Sequence, residues 1–372
     1  MTFGRIRARS TRLDAPKRLA VLTIALLATA APAGAQESPC DRFAGPPSPA
    51  GTVADPALIE ISGVAASRAH PGVLWVHNDS GGQPAVTALS DTGEDLGTYR
   101  VPGAEATDWE DIAAGPGPDP EQDYLYVGDI GDNAEGRESV QVHRVPEPDE
   151  APDGTDGRFA EEVVLTLHYP TGPVDAEALL VDPVTGDLVI VGKRPRSAPV
   201  FAADAAAIAD GGDVQLRQVA TLDAAPTGGP PGPLGLVTGG DVSPDGSVVL
   251  LRTYLSVAAY PRPEGEPLAA AFAGMPCAAP RADEPQGEAV GFLADGSAYV
   301  TISEGTAQPI NRVAVSPALA ATTTTTTTTA TTAPSVTQDD SEDGLPAWAW
   351  ITIPVAILGA LAVAAIVRRR RR

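Results

Sequence analysis

One pattern recurs along this chain. A short segment opens on acidic residues and turns apolar, a Gly/Pro/Asp-rich turn follows, and a second apolar run ends in polar residues. It reads Asp108-Trp109-Glu110-Asp111-Ile112-Ala113 and then Tyr124-Leu125-Tyr126-Val127-Gly128-Asp129. It returns as Asp175-Ala176-Glu177-Ala178-Leu179-Leu180, the turn Asp182 to Asp187, and Leu188 to Arg194. A period kept along a chain dictates a repeat architecture, because each unit must bury its apolar face on the next.

Weaker copies extend the series. Ile61-Ser62-Gly63-Val64-Ala65 precedes the turn at His70-Pro71-Gly72 and the run Val73 to His77. Val237 to Ser243 precedes Pro244-Asp245-Gly246 and Val248 to Tyr254, and Gln286 to Val290 precedes Asp295-Gly296 and Ala298 to Ser303. The units start about 48 to 67 residues apart, near the roughly 40–50-residue period of propeller repeats. Short β-rich runs bounded by Asp, Gly and Pro are strands and hairpins, and no convincing helix interrupts them. The expected fold is therefore all-β, a β-propeller of five blades. Six blades would need residues 40–58 to carry a further unit, and a β-sandwich is the architectural alternative. The fifth unit shows only three strands, the third being Arg312 to Val315, so its outermost strand is expected from the N-terminal segment before Ile59.

The ends set the organisation. Residues 1–35 read as a secretory signal: six Lys/Arg before Leu19, an apolar stretch, then the small residues Ala33-Gly34-Ala35. Residues 36–318 form the ectodomain. Residues 319–345 hold the uninterrupted Thr322 to Thr329 run and read as a stalk, since such sequence cannot bury a core. Residues 346–367 are apolar and long enough for a transmembrane helix, with Trp348 and Trp350 at one edge. Residues 368–372 are five arginines, a basic cytoplasmic tail. The expected placement is a single-pass membrane protein with its propeller outside the cell, held to the membrane by that one C-terminal helix.

The formal net charge is −23, and the +5 carried at each end conceals −33 on the part between. Phosphate backbones need a basic surface, so nucleic acid is excluded as a partner. Only Cys40 and Cys277 occur. In an oxidising compartment they are expected to pair, and the bridge would pin the seam where the ring closes.

In a propeller the first strand of each blade lines a central channel, and the loop after the second strand opens at the mouth where that first strand starts. Converging polar groups at such a mouth are the default binding site. The metal candidates are Asp108, Glu110, Asp129, Glu177, Asp241 and Glu288, because stacked carboxylates call for protons or hard cations such as Ca²⁺. Capping of neighbouring blades' amides is the structural alternative for each. Asp129-Ile130-Gly131-Asp132-Asn133 has the oxygen-rich, Gly-turned composition of a calcium loop without the twelve-residue EF-hand spacing, and an Asx-rich turn accounts for it equally. Asn78, Asp79, Lys193, Arg194 and Arg252 are the ligand-binding candidates, with the basic residues suited to a phosphate or carboxylate. By strand alternation Asp108 and Glu110 face the channel and Trp109 packs between blades. No Gly-x-Ser-x-Gly elbow occurs, so any hydrolysis would be metal-assisted.

The segments Ile61 to Ala65, Asp175 to Leu179, Val237 to Gly246 and Gln286 to Val290 resemble those of secreted phytase-like propellers, the group associated with esterase-like activity. The resemblance spans roughly residues 58–315. It implies a cation-loaded channel mouth with lining acids at Glu177 and Glu288. The clustered Asp-Asp and Lys residues of alkaline phytases are not evident. The functional expectation is a cell-surface propeller whose mouth binds a divalent cation and an anionic or polyol ligand, with ester or phosphate-ester hydrolysis as its chemistry. The alternative is a non-catalytic extracellular module for a glycan, peptide or partner protein.

Overall fold

The computed structural model describes residues 39–43, 45–79, 82–223 and 236–316. The expected signal, stalk, membrane helix and basic tail lie outside the described residues. Among the described residues no helix is long and apolar enough to cross a membrane.

The strands form five antiparallel sheets in chain order, each led by an inner strand. The first blade comprises Ile61–Ala66, Val73–Asn78, Ala85–Ser90 and Asp95–Arg100, with the two-residue Gly157–Arg158 added in parallel at its edge. The second comprises Trp109–Pro116, Asp123–Asp129, Val140–Pro146 and Val163–His168, extended in parallel by Gly212–Gln215. The third comprises Ala176–Val181, Leu188–Gly192, Ser197–Ala203 and Arg217–Asp223; the fourth, Val237–Val242, Val248–Thr253, Ser256–Pro261 and Cys277–Ala279. The inner strands pack first on second and so on round to fifth on first. The ring closes with five blades, and residues 40–58 add no sixth.

Closure comes from the N-terminal segment. Ser48–Thr52 pairs antiparallel with Pro309–Ala314, giving the fifth blade its fourth strand outside Gly287–Phe292 and Ala298–Ser303. Its other flank is bonded to the first-blade hairpin, Thr52 N–H to Thr92 O at 3.1 Å and Ala54 N–H to Gly93 O at 2.9 Å. The approach demands glycine: a Cβ on Gly51 would meet the Thr92 carbonyl oxygen at 1.8 Å. Cys40 and Cys277 are disulfide-bonded. The bridge ties the segment ahead of the closure strand to the outermost strand of the fourth blade, just before the fifth begins.

The core is five layers between successive blades. Trp75, Trp109 and Leu125 fill one between the first and second; Tyr126, Leu179 and Phe201 fill the next. The remaining layers centre on Leu180 and Tyr260, Leu250 and Tyr299, and Leu89 and Ile302. Apolar burial therefore occurs at blade faces, which leaves the axis to polar side chains. Trp109 lies in an interblade layer as expected, between the rings of His77 and His143. The turns that separate strands use glycine where the backbone is left-handed, as at Gly246 (φ 71°) and Gly296 (φ 67°).

Candidate cation-binding site at the channel mouth

Every inner strand carries the same irregularity. Its pairing with the second strand slips by one residue between Ile61 and Gly63, Trp109 and Asp111, Ala176 and Ala178, Val237 and Gly239, and Gly287 and Ala289. The residues at these five bulges are Ser62, Glu110, Glu177, Thr238 and Glu288, all buried. A bulge re-aims the side chain it adds and leaves it outside the ladder, so the five blades together present a ring of two hydroxyls and three carboxylates. Ser62 Oγ lies 3.5 Å from Glu110 Oε2, and Thr238 Oγ1 donates to Gly287 O at 3.1 Å.

The loops supply a second tier. After the second strand the backbone hydrogen-bonds to the residue before the first: Asp79 N–H to Glu60 O, Gly131 N–H to Asp108 O, Lys193 N–H to Asp175 O and Glu304 N–H to Gln286 O, at 2.7–3.1 Å. This brings acids from loop and strand start together above the ring. Asp79, Asp108 and Glu110 form one trio, and Glu110, Asp175 and Glu177 a second. Within each trio one oxygen per residue lies within 4.8 Å of the others. Glu110 belongs to both. Gly131 floors the first trio, where a Cβ would stand 2.3 Å from Glu110 Oε1 and 2.5 Å from Asp108 Oδ2.

These carboxyls hold protons more tightly than usual. Burial, then Glu177, Asp79 and Asp108, push Glu110 well above the ordinary range. Burial lifts Glu177 and Glu288 to about 8 against the pull of Lys193. Burial and then Asp108, Glu60 and Glu304 raise Asp79 to about 6. Asp108 and Asp175 are raised as well, chiefly by burial. Asp79 Oδ1 and Glu288 Oε2 are buried with no hydrogen-bond partner among the described residues.

Lys193 stands among them, its ammonium ion-paired with Glu177 and 5.7 Å from the centroid of the Tyr254 ring. Burial alone would lower its pKa, but Glu177 outweighs that and holds the proton more firmly. Arg194 pairs with Glu135 at 2.9 Å near the surface. A cavity of about 550 Å³ opens beside the second trio, lined by Asn133, Asp175, Lys193, Arg194, Arg196 and Ser197 among others.

The structure separates the remaining candidates from this site. Asn78 spends its amide on the backbone of Ala57, Ile59 and Glu60. Asp129 accepts from Thr107 and Asp108 N–H and from Arg137 at 2.7 Å. Asp132 accepts from Gly136 and Arg137 N–H, so the 129–133 segment is an Asx-rich turn. Arg252 does not reach the mouth. It is fully buried, ion-paired with Glu284 and donating to Ala289 O at 2.8 Å, its guanidinium lying against Gly287. Asp241 lies at the far end of the inner strand, three residues beyond the bulge, accepting from Val242 and Phe292 N–H. There it lines a separate cavity of about 260 Å³ with Arg68 and Asp123. Thr238, and not the metal candidate Asp241, occupies the fourth blade's position in the ring.

Two buried acids that tie neighbouring blades together were not singled out in the sequence. Asp111 is fully buried and accepts from Ile112 N–H at 2.9 Å, Leu179 N–H at 2.9 Å and Gly240 N–H at 3.1 Å, joining three blades across the axis. Glu284 binds Arg252 and also accepts from Thr301 and Asn311 at 2.7 Å. No family model and no curated protein matches this chain. Among solved structures, one titled as the structure of the Dos1 propeller is similar over 67% of this chain, at 11% identity and a TM-score of 0.32. The match covers 58% of that chain.

Proposed function

We propose that this chain is a cell-surface propeller, held at the membrane by the run at 346–367, whose mouth binds a divalent cation such as Ca²⁺ together with an anionic or polyol ligand. The observation that carries the reading is the pair of carboxylate trios sharing Glu110. Oxygen-only ligand sets suit hard cations, and like charges this close are stabilised by protons or by a cation. The ligand's anionic group would meet Lys193 and Arg194 in the adjoining cavity. A cation so placed would polarise an ester or phosphoryl oxygen, which makes metal-assisted hydrolysis the chemistry of this reading.

A non-catalytic module for a glycan, peptide or partner protein is the second reading. One observation favours it. His77, the histidine nearest the mouth in sequence, is buried against Trp109 with Nδ1 on Asn78 O and burial lowering its pKa to about 4, so it offers no general base there. The test is thermal unfolding of wild type and Glu110→Gln in CaCl₂ and in EDTA, with turnover of p-nitrophenyl acetate and p-nitrophenyl phosphate. Ca²⁺-dependent turnover lost in Glu110→Gln supports the hydrolase. A Ca²⁺-dependent shift without turnover supports the binding module. No shift in wild type removes the cation reading and the metal-assisted hydrolase with it, and leaves the acids as structural caps.

A further inference from the structure

The two trios are alike in composition but not in what surrounds them. Among the described residues no lysine, arginine or histidine forms an ion pair with Asp79, Asp108 or Glu110. The second trio is different: the Lys193 ammonium is paired with Glu177, and its backbone N–H is fixed to Asp175 O at 2.7 Å. The Tyr254 ring lies over the ammonium on another side, and the Lys193 side chain is 14% exposed. Lys193 is thus a cation held in place by the fold.

We propose that Lys193 is a built-in substitute for a second metal ion, so that the mouth takes one divalent cation at Asp79, Asp108 and Glu110 while the lysine ammonium serves Glu110, Asp175 and Glu177. The inference rests on the cation reading given above and fixes its stoichiometry. A divalent ion in the second trio would stand beside an ammonium in a site of low dielectric, where like charges repel strongly. The ammonium also acts on Asp79, Asp108 and Glu110, but more weakly there than the neighbouring acids do, whereas at Glu177 it is the leading charge, so an ion in the first trio is the less opposed. Independent of the clustering, Asp79 Oδ1 in the first trio and Glu288 Oε2 in the ring, the latter on a side chain 4% exposed, are buried without a hydrogen-bond partner among the described residues, so acceptor capacity remains for a cation. The arrangement also leaves one side of the ammonium toward the basic cavity of Arg194 and Arg196, where a ligand oxyanion would touch the lysine and not a second metal.

The experiment is Ca²⁺ stoichiometry on the purified full chain, by calorimetric titration with CaCl₂ and by metal analysis after dialysis, for wild type, Lys193→Met and Lys193→Arg. The expected result is one ion per chain in wild type and in Lys193→Arg, and two in Lys193→Met. Two ions in wild type, or one in a Lys193→Met chain with a wild-type circular dichroism spectrum, overturns the inference and leaves the cation reading standing. No ion in wild type removes both. Should Lys193→Met fail to fold, the wild-type count still decides, because two ions there contradict a lysine in the second place.

Discussion

Glu110 and Glu177 occupy the same bulge in adjacent blades, and an oxygen of one lies within 4.8 Å of an oxygen of the other. Neither is placed there by strand alternation alone. The bulge adds a residue to each inner strand and aims it at the axis, so the repeat that builds the ring also concentrates its charge.

That concentration makes stability depend on pH. Burial raises Glu177 and Glu288 from 4.5 to about 8 in the folded protein. Between those values the folded state binds more protons than the unfolded chain, so stability falls as pH rises. The contribution is fully present below the unfolded value and gone above the folded one. Thermal unfolding in EDTA is expected to shift down by several degrees between pH 5 and pH 8.5. Saturating CaCl₂ is expected to flatten the part of the slope that Asp79, raised to about 6, and Glu110 add, because an ion at the first trio takes the place of their protons. A slope unchanged by Ca²⁺ would count against cation binding at these acids.

Asp111 is expected to be the most sensitive position on the axis. Asp111→Ala leaves three buried backbone donors, at Ile112, Leu179 and Gly240, without their acceptor. An orphaned buried donor costs about 1–3 kcal/mol, so a loss of about 3–5 kcal/mol is expected in denaturant unfolding. Asp111→Asn keeps one accepting oxygen and is expected to recover part of it. Equal stability of Asp111→Ala and wild type would show that these bonds do not hold the blades together.

Arg252 and Glu284 test the separation of structural from ligand-binding charges. Glu284→Gln leaves the fully buried Arg252 guanidinium without its anion, and breaking such a pair costs about 3–5 kcal/mol. Where the variant remains folded, its Ca²⁺ affinity is expected to stay within about threefold of wild type, since neither residue belongs to a trio. Lost affinity in a folded variant would return Arg252 to the mouth.

The ring and its closure were legible in the sequence because they depend on period and count: five units, one missing strand and two cysteines at the seam. The trios were legible in part. Asp79, Asp108, Glu110 and Glu177 could be placed because strand starts and second-strand ends meet at one mouth in any propeller. Asp111 could not, because strict alternation turns it away from the channel once Glu110 faces in; only the bulge lets consecutive residues both point inward. The same slip misplaced Asp241. An acid near the start of the fourth inner strand reads as a channel candidate, whereas the bulge in that blade falls at Thr238. Arg252 lies away from the mouth for another reason. Its partner Glu284 lies in the connection to the next blade, a long-range pairing that local pattern does not encode.

The disulfide should matter most to the closure strand. Cys40 and Cys277 are 237 residues apart in sequence, and removing such a cross-link costs about 2–5 kcal/mol. Reduction, or Cys277→Ser, is expected to lower the unfolding midpoint and to speed amide exchange first at Thr52 and Ala54, whose N–H groups bond the first-blade hairpin. Uniform loss of protection in all blades would mean that the bridge stabilises the ring as a whole and not its seam.

Gly131 gives the sharpest test of the first trio, because it has no side chain to contribute to folding or to ligation. Its backbone N–H donates to Asp108 O at 3.1 Å, and a Cβ there would fall within 2.6 Å of the Asp108 carboxylate and 2.3 Å of Glu110 Oε1. Both carboxylates would have to move by more than bond-length precision allows in a metal site, where ligand oxygens lie at about 2.3–2.6 Å from Ca²⁺. Gly131→Ala is therefore expected to weaken Ca²⁺ binding at least about tenfold, or about 1.4 kcal/mol. In EDTA its unfolding midpoint should change little, since the displaced carboxylates repel one another less when moved apart. Calorimetric titration against CaCl₂ measures the first effect and thermal unfolding in EDTA the second. A variant that binds Ca²⁺ as wild type does would place the ion away from Asp108 and Glu110.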